Sequence, residues 1–264
     1  MTILDEIGAK KKIEVAARKA AITVSSLEKR PLFNSEPRSL TASLTAAGST
    51  GIIAEFKRRS PSKGMLHEGA DAALITRAYT EHGAAGLSVL TETAYFSGSD
   101  EDLAAARKNT GIPILRKDFI IDEFQIIEAR SMGADVILLI AAMLTPAEII
   151  GFGKLSQELG MQVLLEVHSR EELEKSLNPY LNIVGINNRN LKDFTVSVQT
   201  SFELGPLVPV EFAKISESAI TDINVLHSLK QAGFNGFLIG ETFMKTADPG
   251  VTFADFVSAM KKIG

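Results

Sequence analysis

Apolar residues are unevenly spread along the 264-residue chain: after about residue 50 they gather in short runs separated by polar turns and amphipathic stretches. The runs are GIIAEFK (51–57), GLSVLTE (86–92), IPILRKD (112–118), ADVILLIAA (134–142), MQVLLEVH (161–168), LNIVGINN (181–188), FAKISES (212–218) and GFLIGE (236–241). Such short runs read as strands, and the longer stretches between them, with apolar residues three or four apart, read as helices. Helix ends are legible too. Thr145-Pro146-Ala147-Glu148 and Ser169-Arg170-Glu171-Glu172 have the form of capping boxes, and Gly160 stands where the first of these helices must stop. Eight strand-helix repeats predict an α/β fold, a closed (β/α)8 TIM barrel. A doubly wound open sheet would show the same alternation, but AEFKRRSPSKG follows the first strand where a dinucleotide-binding fold carries its glycine fingerprint.

Ahead of the first strand lies more chain than a minimal barrel needs. Residues 1–48 are expected to form an N-terminal helical extension packed on the barrel, and residues 49–264 the catalytic barrel itself. Ile3, Leu4, Ile7, Ile13, Val15 and Ala16 predict one amphipathic helix, and Leu40, Leu44 and Ala47 a second before Gly48, with Pro31 and Pro37 breaking the stretch between. Such an extension either closes the bottom of the barrel or covers its active-site end.

Composition narrows the partner. No apolar run approaches the roughly 18 residues that cross a bilayer, and the opening MTILDEIGAKKKIEVAARKA mixes acidic, basic and apolar residues unlike a signal or transit peptide. A soluble, cytoplasmic protein without membrane contact is expected. With no cysteine, and four histidines that form no HxH or HxxxH pair, neither a metal nor another cofactor is expected. A net charge of −4 argues against nucleic acid. The expected partner is a small molecule, bound by a monomer.

Candidate chemistry collects at the carboxyl ends of the runs, where strand tips of a barrel converge. Glu55 and Lys57, Lys117, Glu166, Asn187 and Arg189, and Glu217 with Ser218 all stand there. Side chains alternate along a strand, so Ile53, Glu55 and Lys57 share one face, as do Leu115 and Lys117, Leu164 and Glu166, and Gly185, Asn187 and Arg189. One charged strand end is ordinarily a solvated loop residue. Convergence from five strands instead predicts lysines and carboxylates that perturb one another's pKa, which suits acid–base work. By the same alternation Phe56 and Arg116 face the helical layer, an awkward place for Arg116 away from the rim. The small residues of Ser216-Glu217-Ser218-Ala219-Ile220 and Ile239-Gly240-Glu241-Thr242 follow the seventh and eighth strands at expected helix starts, the usual barrel position for a phosphate, and so predict a phosphorylated ligand. His82, His168 and His227 have no partners in sequence and receive no chemistry.

Together these segments resemble the indole-3-glycerol-phosphate synthase family over nearly the whole chain. IIAEFKRRSPSKG is similar to its first-strand signature, LSVLTETAYFSGS to its second, and PILRKDFIIDEFQIIEARSMGADVILLI to its third and fourth; LLEVHSREEL, VGINNRNLKDF, KISESAI and FLIGETFM follow in family order, and ILDEIGAKKKIEVA resembles its N-terminal segment. The resemblance implies tryptophan biosynthesis and a phosphorylated substrate, 1-(2-carboxyphenylamino)-1-deoxyribulose 5-phosphate, whose five-membered ring closes with loss of carbon dioxide and water. It implies that Lys117 is the acid for the developing alkoxide, that Glu166 is the base near the anilino nitrogen, and that Glu55 and Lys57 orient the reacting centre. Expulsion of the hydroxyl falls to Lys57 or Lys117. It further implies that Asn187 and Glu217 are among the catalytic residues, that Ser60, Asn187 and Arg189 bind the anthranilate end, that Phe96, Phe119 and Leu191 line the pocket, and that Ser218, Ala219, Gly240 and Glu241 at the seventh and eighth strand tips receive phosphate. Ala219 departs from the commoner pattern, which has glycine there, so an unusual backbone angle at that position would be strained. Phosphoribosylanthranilate isomerase, a related barrel, is expected to use a cysteine that this chain lacks, and a silent phosphate-binding barrel would be expected to have lost some of these groups.

Overall fold

The computed structural model describes residues 3–190 and 194–263, with the side chain of residue 263 left aside. Eight strands form the barrel: β1 (Ile52–Phe56), β2 (Gly86–Leu90), β3 (Ile114–Lys117), β4 (Val136–Ile140), β5 (Gln162–Val167), β6 (Ile183–Asn187), β7 (Ala213–Glu217) and β8 (Gly236–Ile239). They pair in parallel around a closed ring in chain order, β8 returning to β1 through Ile53 opposite Leu238. Each predicted run contains one strand, with its ends trimmed. The loop after β1 adds a small antiparallel pair that the apolar pattern does not reveal, Arg59–Ser60 with Gly64–Met65.

Alternation divides the core in two. Ile53, Leu115, Val136, Leu138, Leu164, Ile183, Ile215 and Leu238 pack inside the barrel. Their neighbours Ile52, Ala54, Ile114, Ile137, Val163, Leu165, Val184 and Phe237 pack outward against the helices. Full burial of such a side chain contributes about 1.5–3 kcal/mol, so a one-residue register slip, which would exchange the two sets, is strongly opposed.

The segment ahead of β1 touches both ends of the barrel. Helix α1 spans Ile3–Ala21, α2 Val24–Glu28 and α3 Leu40–Thr45. Leu40 and Leu44 of α3 join the inner cluster from below; a Cβ on Gly86 would come within 2.6 Å of Leu40, and one on Gly236 within 2.8 Å of Leu44. The strands carry glycine where the plug enters. At the opposite end Ile3, Leu4 and Ile7 of α1 line the mouth. The buried face of α1 runs through Ile7, Lys11 and Val15 at four-residue spacing. Ile13 falls off that face and is 74% exposed, so the apolar stripe read from sequence is narrower than expected. Among the described residues, no helix is long and apolar enough to cross a membrane.

Arg116 is not at the rim. It is 1% exposed in the layer between barrel and helices, where its guanidinium meets Glu128 at 2.9 Å and Asp118 and Asp100 at 3.4 Å each and donates to the Gln125 carbonyl. Lys11 of α1 reaches Asp118 at 3.0 Å, and Arg18 of α1 reaches Glu128 at 2.6 Å as well as Asp100. Charge thus docks α1 beside the mouth.

Candidate active site

The inner faces change character along the barrel. Below they are aliphatic; at the carboxyl ends β1, β3, β5, β6 and β7 present Glu55, Lys117, Glu166, Asn187 and Glu217 into a cavity of about 550 Å³. Lys57, Ser60, Phe96, Phe119, Arg189, Ser218, Ala219, Gly240 and Glu241 line the same space. The structure therefore brings together all the site residues chosen from sequence except Leu191, which lies outside the described residues.

Lys117 is the hub. Its Nζ donates to Glu166 Oε2 at 2.9 Å and to Glu217 Oε2 at 2.8 Å. These partners are 49 and 100 residues away in sequence. Burial disfavours the ammonium, but Glu166, Glu217 and Glu55 outweigh it and hold the Lys117 pKa above the usual lysine range. Burial likewise pushes Glu166 up, while Lys117 and then His168 pull it below the ordinary carboxylate range. Glu217 goes the other way: burial, helped by Glu166 and Glu55 against the pull of Lys117, pushes its carboxyl up to about 7. Two neighbouring carboxylates sharing one cation are thereby driven apart, one ionised and one near neutrality. Beside them Lys57 donates to Glu55.

Small residues make room for this cluster. A Cβ at Gly185 would run into the Glu217 carboxylate, and one at Gly240 would approach the side chain of Glu55. On another wall the rings of Phe96 and Phe119 stand 6.1 Å apart at 42°, an open pair suited to a third aromatic group. Arg189 lies 3.6 Å from the Glu241 carboxylate.

The two loops after β7 and β8 differ from their sequence reading in one respect. Ser218 and Ala219 do not begin a helix; they form a left-handed turn with φ of 65° and 60°, and the helix starts at Ile223 behind its own cap, Asp222. Successive residues of this kind can aim backbone NH groups at an anion. After β8 the short helix Glu241–Met244 starts at Gly240 without a side-chain cap, the extra helix on which barrels commonly seat phosphate.

The chain matches the family model described as indole-3-glycerol phosphate synthase over residues 4–256. It is 46% identical over 260 residues to the indole-3-glycerol phosphate synthase of Bacteroides thetaiotaomicron, covering 98% of this chain and 99% of that protein. The chain belongs to the indole-3-glycerol phosphate synthase family. A second family member, from Laribacter hongkongensis, is 44% identical over 96% of this chain and 97% of its own length. Fold similarity reaches further: the tryptophan synthase α subunit of Legionella pneumophila superposes with a TM-score of 0.61 at 12% identity, over 84% of this chain and 95% of that one. That likeness concerns the barrel alone.

One polar group stands beside this cavity without lining it. His168, assigned no chemistry above, follows Glu166 by two residues on the same face, and its Nε2 stands 3.3 Å from Glu166 Oε1. The available signal was the EVH spacing together with Glu172 four residues on. The Ser169 capping box is correspondingly incomplete: Ser169 caps Glu172 NH, but the Glu172 carboxylate reaches past the cap to the His168 NH at 2.7 Å.

Proposed function

We propose that the protein converts 1-(2-carboxyphenylamino)-1-deoxyribulose 5-phosphate into indole-3-glycerol phosphate, and that Lys117 supplies the proton for ring closure. The observation that carries this reading is the Lys117 ammonium held between Glu166 and Glu217 at the inner end of a cavity with an aromatic pair on one wall and paired small-residue loops on another. The carboxylate-bearing ring carbon attacks the ketone, a carbon–carbon bond forms, and the ketone oxygen gathers negative charge. That alkoxide needs a proton where aromaticity is being lost, and a charged lysine provides one. The raised pKa does not disqualify it, because the acceptor becomes a stronger base still.

Carbon dioxide then leaves, returning its bonding electrons to the ring, and loss of the hydroxyl with a proton completes the indole as water departs. Glu166, ionised at neutral pH, serves as the base near the anilino nitrogen. Glu55 and Lys57 orient the reacting centre; either Lys57 or Lys117 protonates the departing hydroxyl. Ser60, Asn187 and Arg189 hold the anthranilate end, Phe96 and Phe119 flank its ring, and backbone NH groups at Ser218–Ala219 and Gly240–Glu241 receive the phosphate. Ser60 Oγ and Glu217 Oε1 support a ligand-ready site: both are buried without a hydrogen-bond partner among the described residues, a costly condition that an incoming polar group relieves. Residues 1–48 belong to this function through α1, whose apolar tip covers the mouth.

Indole-3-glycerol phosphate formation from the synthetic substrate, followed by product fluorescence, tests the reading. Turnover with the phosphorylated substrate and about hundredfold weaker binding of its dephosphorylated analogue, the loss expected for a pair of charge-assisted hydrogen bonds, are the expected results. No product would overturn the activity; equal affinity for both compounds would overturn the phosphate assignment. Ile7→Ser should raise KM by up to about tenfold, the scale of one buried apolar contact, with kcat little changed.

A further inference from the structure

The imidazole of His168 is enclosed between two carboxylates. Nε2 faces Glu166 Oε1 at 3.3 Å, the oxygen that Lys117 leaves free, and Nδ1 faces Glu172 Oε2 at 3.3 Å. The Nε2–H is not aligned on Glu166 as a hydrogen bond, and this buried atom has no other partner among the described residues. Glu172 is fixed in the first turn of the helix Arg170–Ser176 and also accepts the His168 backbone NH. An imidazole whose two nitrogens both confront carboxylates is served best as a double donor, hence as a cation. Burial works against that charge, but Glu166 and Glu172 more than compensate and push the imidazole up to about 9.

During turnover this second cation gains importance. In the resting site Glu166 is balanced by Lys117. Once Lys117 has given its proton to the substrate oxygen it is a neutral amine, and a buried carboxylate without a counter-charge would take up a proton and cease to be a base. We propose that His168, held by Glu172, is a positioning residue that keeps Glu166 ionised and aimed at the substrate after Lys117 has discharged. The proposal rests on the reading of Glu166 as the base. The charged groups facing His168 are Glu166 on its own strand and Glu172 on the following helix; Lys117 of β3 stands beyond Glu166, and Lys175 acts on Glu172.

Two measurements test it. In the unaltered protein, an NMR titration of the His168 ring should find it protonated well beyond the ordinary histidine range, with a midpoint near 9; a midpoint near 6.5, the ordinary value, overturns the proposal without any substitution. In His168→Gln, kcat at neutral pH should fall by about tenfold, less than loss of a general acid or base would cause, with KM within about twofold. The acid limb of its pH profile should move up by about one pH unit, because a carboxyl that loses a nearby cation is protonated more easily. Glu172→Gln should move the limb in the same direction but less. A purely structural histidine would lower activity equally at every pH and leave the limb in place. Glu166→Gln separates the two readings. Undiminished turnover in Glu166→Gln overturns Glu166 as base and the proposal with it; an impaired Glu166→Gln beside a His168→Gln limb that stays put overturns only the proposal.

Discussion

Two charge clusters lie on opposite sides of the same strand. Lys117 points into the barrel and gathers Glu166 and Glu217; its neighbours Arg116 and Asp118 belong to the outer cluster, with Lys11, Arg18, Asp100 and Glu128. Both have buried centres and both mix signs. They differ in completeness. In the outer cluster Asp118 meets Lys11 and Arg116, accepts from Thr91 and caps the Phe119 NH, and none of its members is among the buried side-chain atoms without hydrogen-bond partners. In and beside the inner cluster Ser60 Oγ, His168 Nε2 and Glu217 Oε1 are such atoms among the described residues. A satisfied network holds one arrangement; an unsatisfied one retains capacity for a ligand and for proton movement.

This contrast can be broken most forcefully at Lys117. Lys117→Arg keeps the charge but cannot readily release a proton, so it and Lys117→Ala should each lose about 10²–10⁴-fold in kcat, more than any change in KM, while melting temperature moves little in Lys117→Arg, where the counter-charge to Glu166 and Glu217 is kept. Near-normal turnover in Lys117→Arg would make Lys117 an electrostatic anchor and transfer the acid role to Lys57. The outer cluster should answer in the other observable. Arg116→Met leaves Glu128 and Asp118 short of a buried partner and should cost about 3–5 kcal/mol of stability in urea unfolding; a smaller kcat loss than at Lys117 in protein that remains folded would uphold the division.

A milder test uses pH. The Asp118 carboxyl is buried, yet Arg116 and Lys11 hold it below its ordinary range, so its contribution is present above an unfolded pKa near 3.8 and lost as pH falls through the lower folded value. Glu217 has the opposite sign. Its folded pKa, about 7, lies above the ordinary 4.5, so its contribution is complete below 4.5 and disappears as pH rises through 7. Glu217→Gln, which imitates the neutral acid, should therefore be more stable than the parent at pH 8 by roughly 1–3 kcal/mol. That gain should fade in acid, and the variant should turn over more slowly. Equal stability at both pH values would remove the strain assigned to the inner cluster. The smallest effect is expected at Ala219, whose φ of 60° suits glycine: Ala219→Gly should gain up to about 1 kcal/mol in thermal unfolding with turnover retained.

Much of the site was legible because its determinant is local. Two-residue alternation alone assigns Glu55, Lys117, Glu166 and Asn187 to one face of their strands, and the structure brings those side chains to one cavity. The same rule placed Arg116 on the outer face, but nothing local showed that Glu128 would meet it there, or that Lys11 and Arg18 of the N-terminal helix would share its carboxylates. His168 illustrates the boundary: its spacing from Glu166 and Glu172 is written in the chain, yet such spacings are common, and only the inward turn of this strand end beside Lys117 makes them an electrostatic unit.

By itself, then, the sequence determined the eight strands, the direction of each side chain along them and the residue types at their carboxyl ends, since periodicity and chemical identity act over a few residues. Only tertiary structure decided that Lys117 has Glu166 and Glu217 as partners across 49 and 100 residues, that Ser218 and Ala219 make a left-handed turn instead of a helix start, and that the segment ahead of β1 reaches both the barrel floor and the lining of its mouth. Those outcomes depend on ring closure and burial, which lower the local dielectric and bring distant charges within a few ångströms, where their pairing replaces the water each has lost.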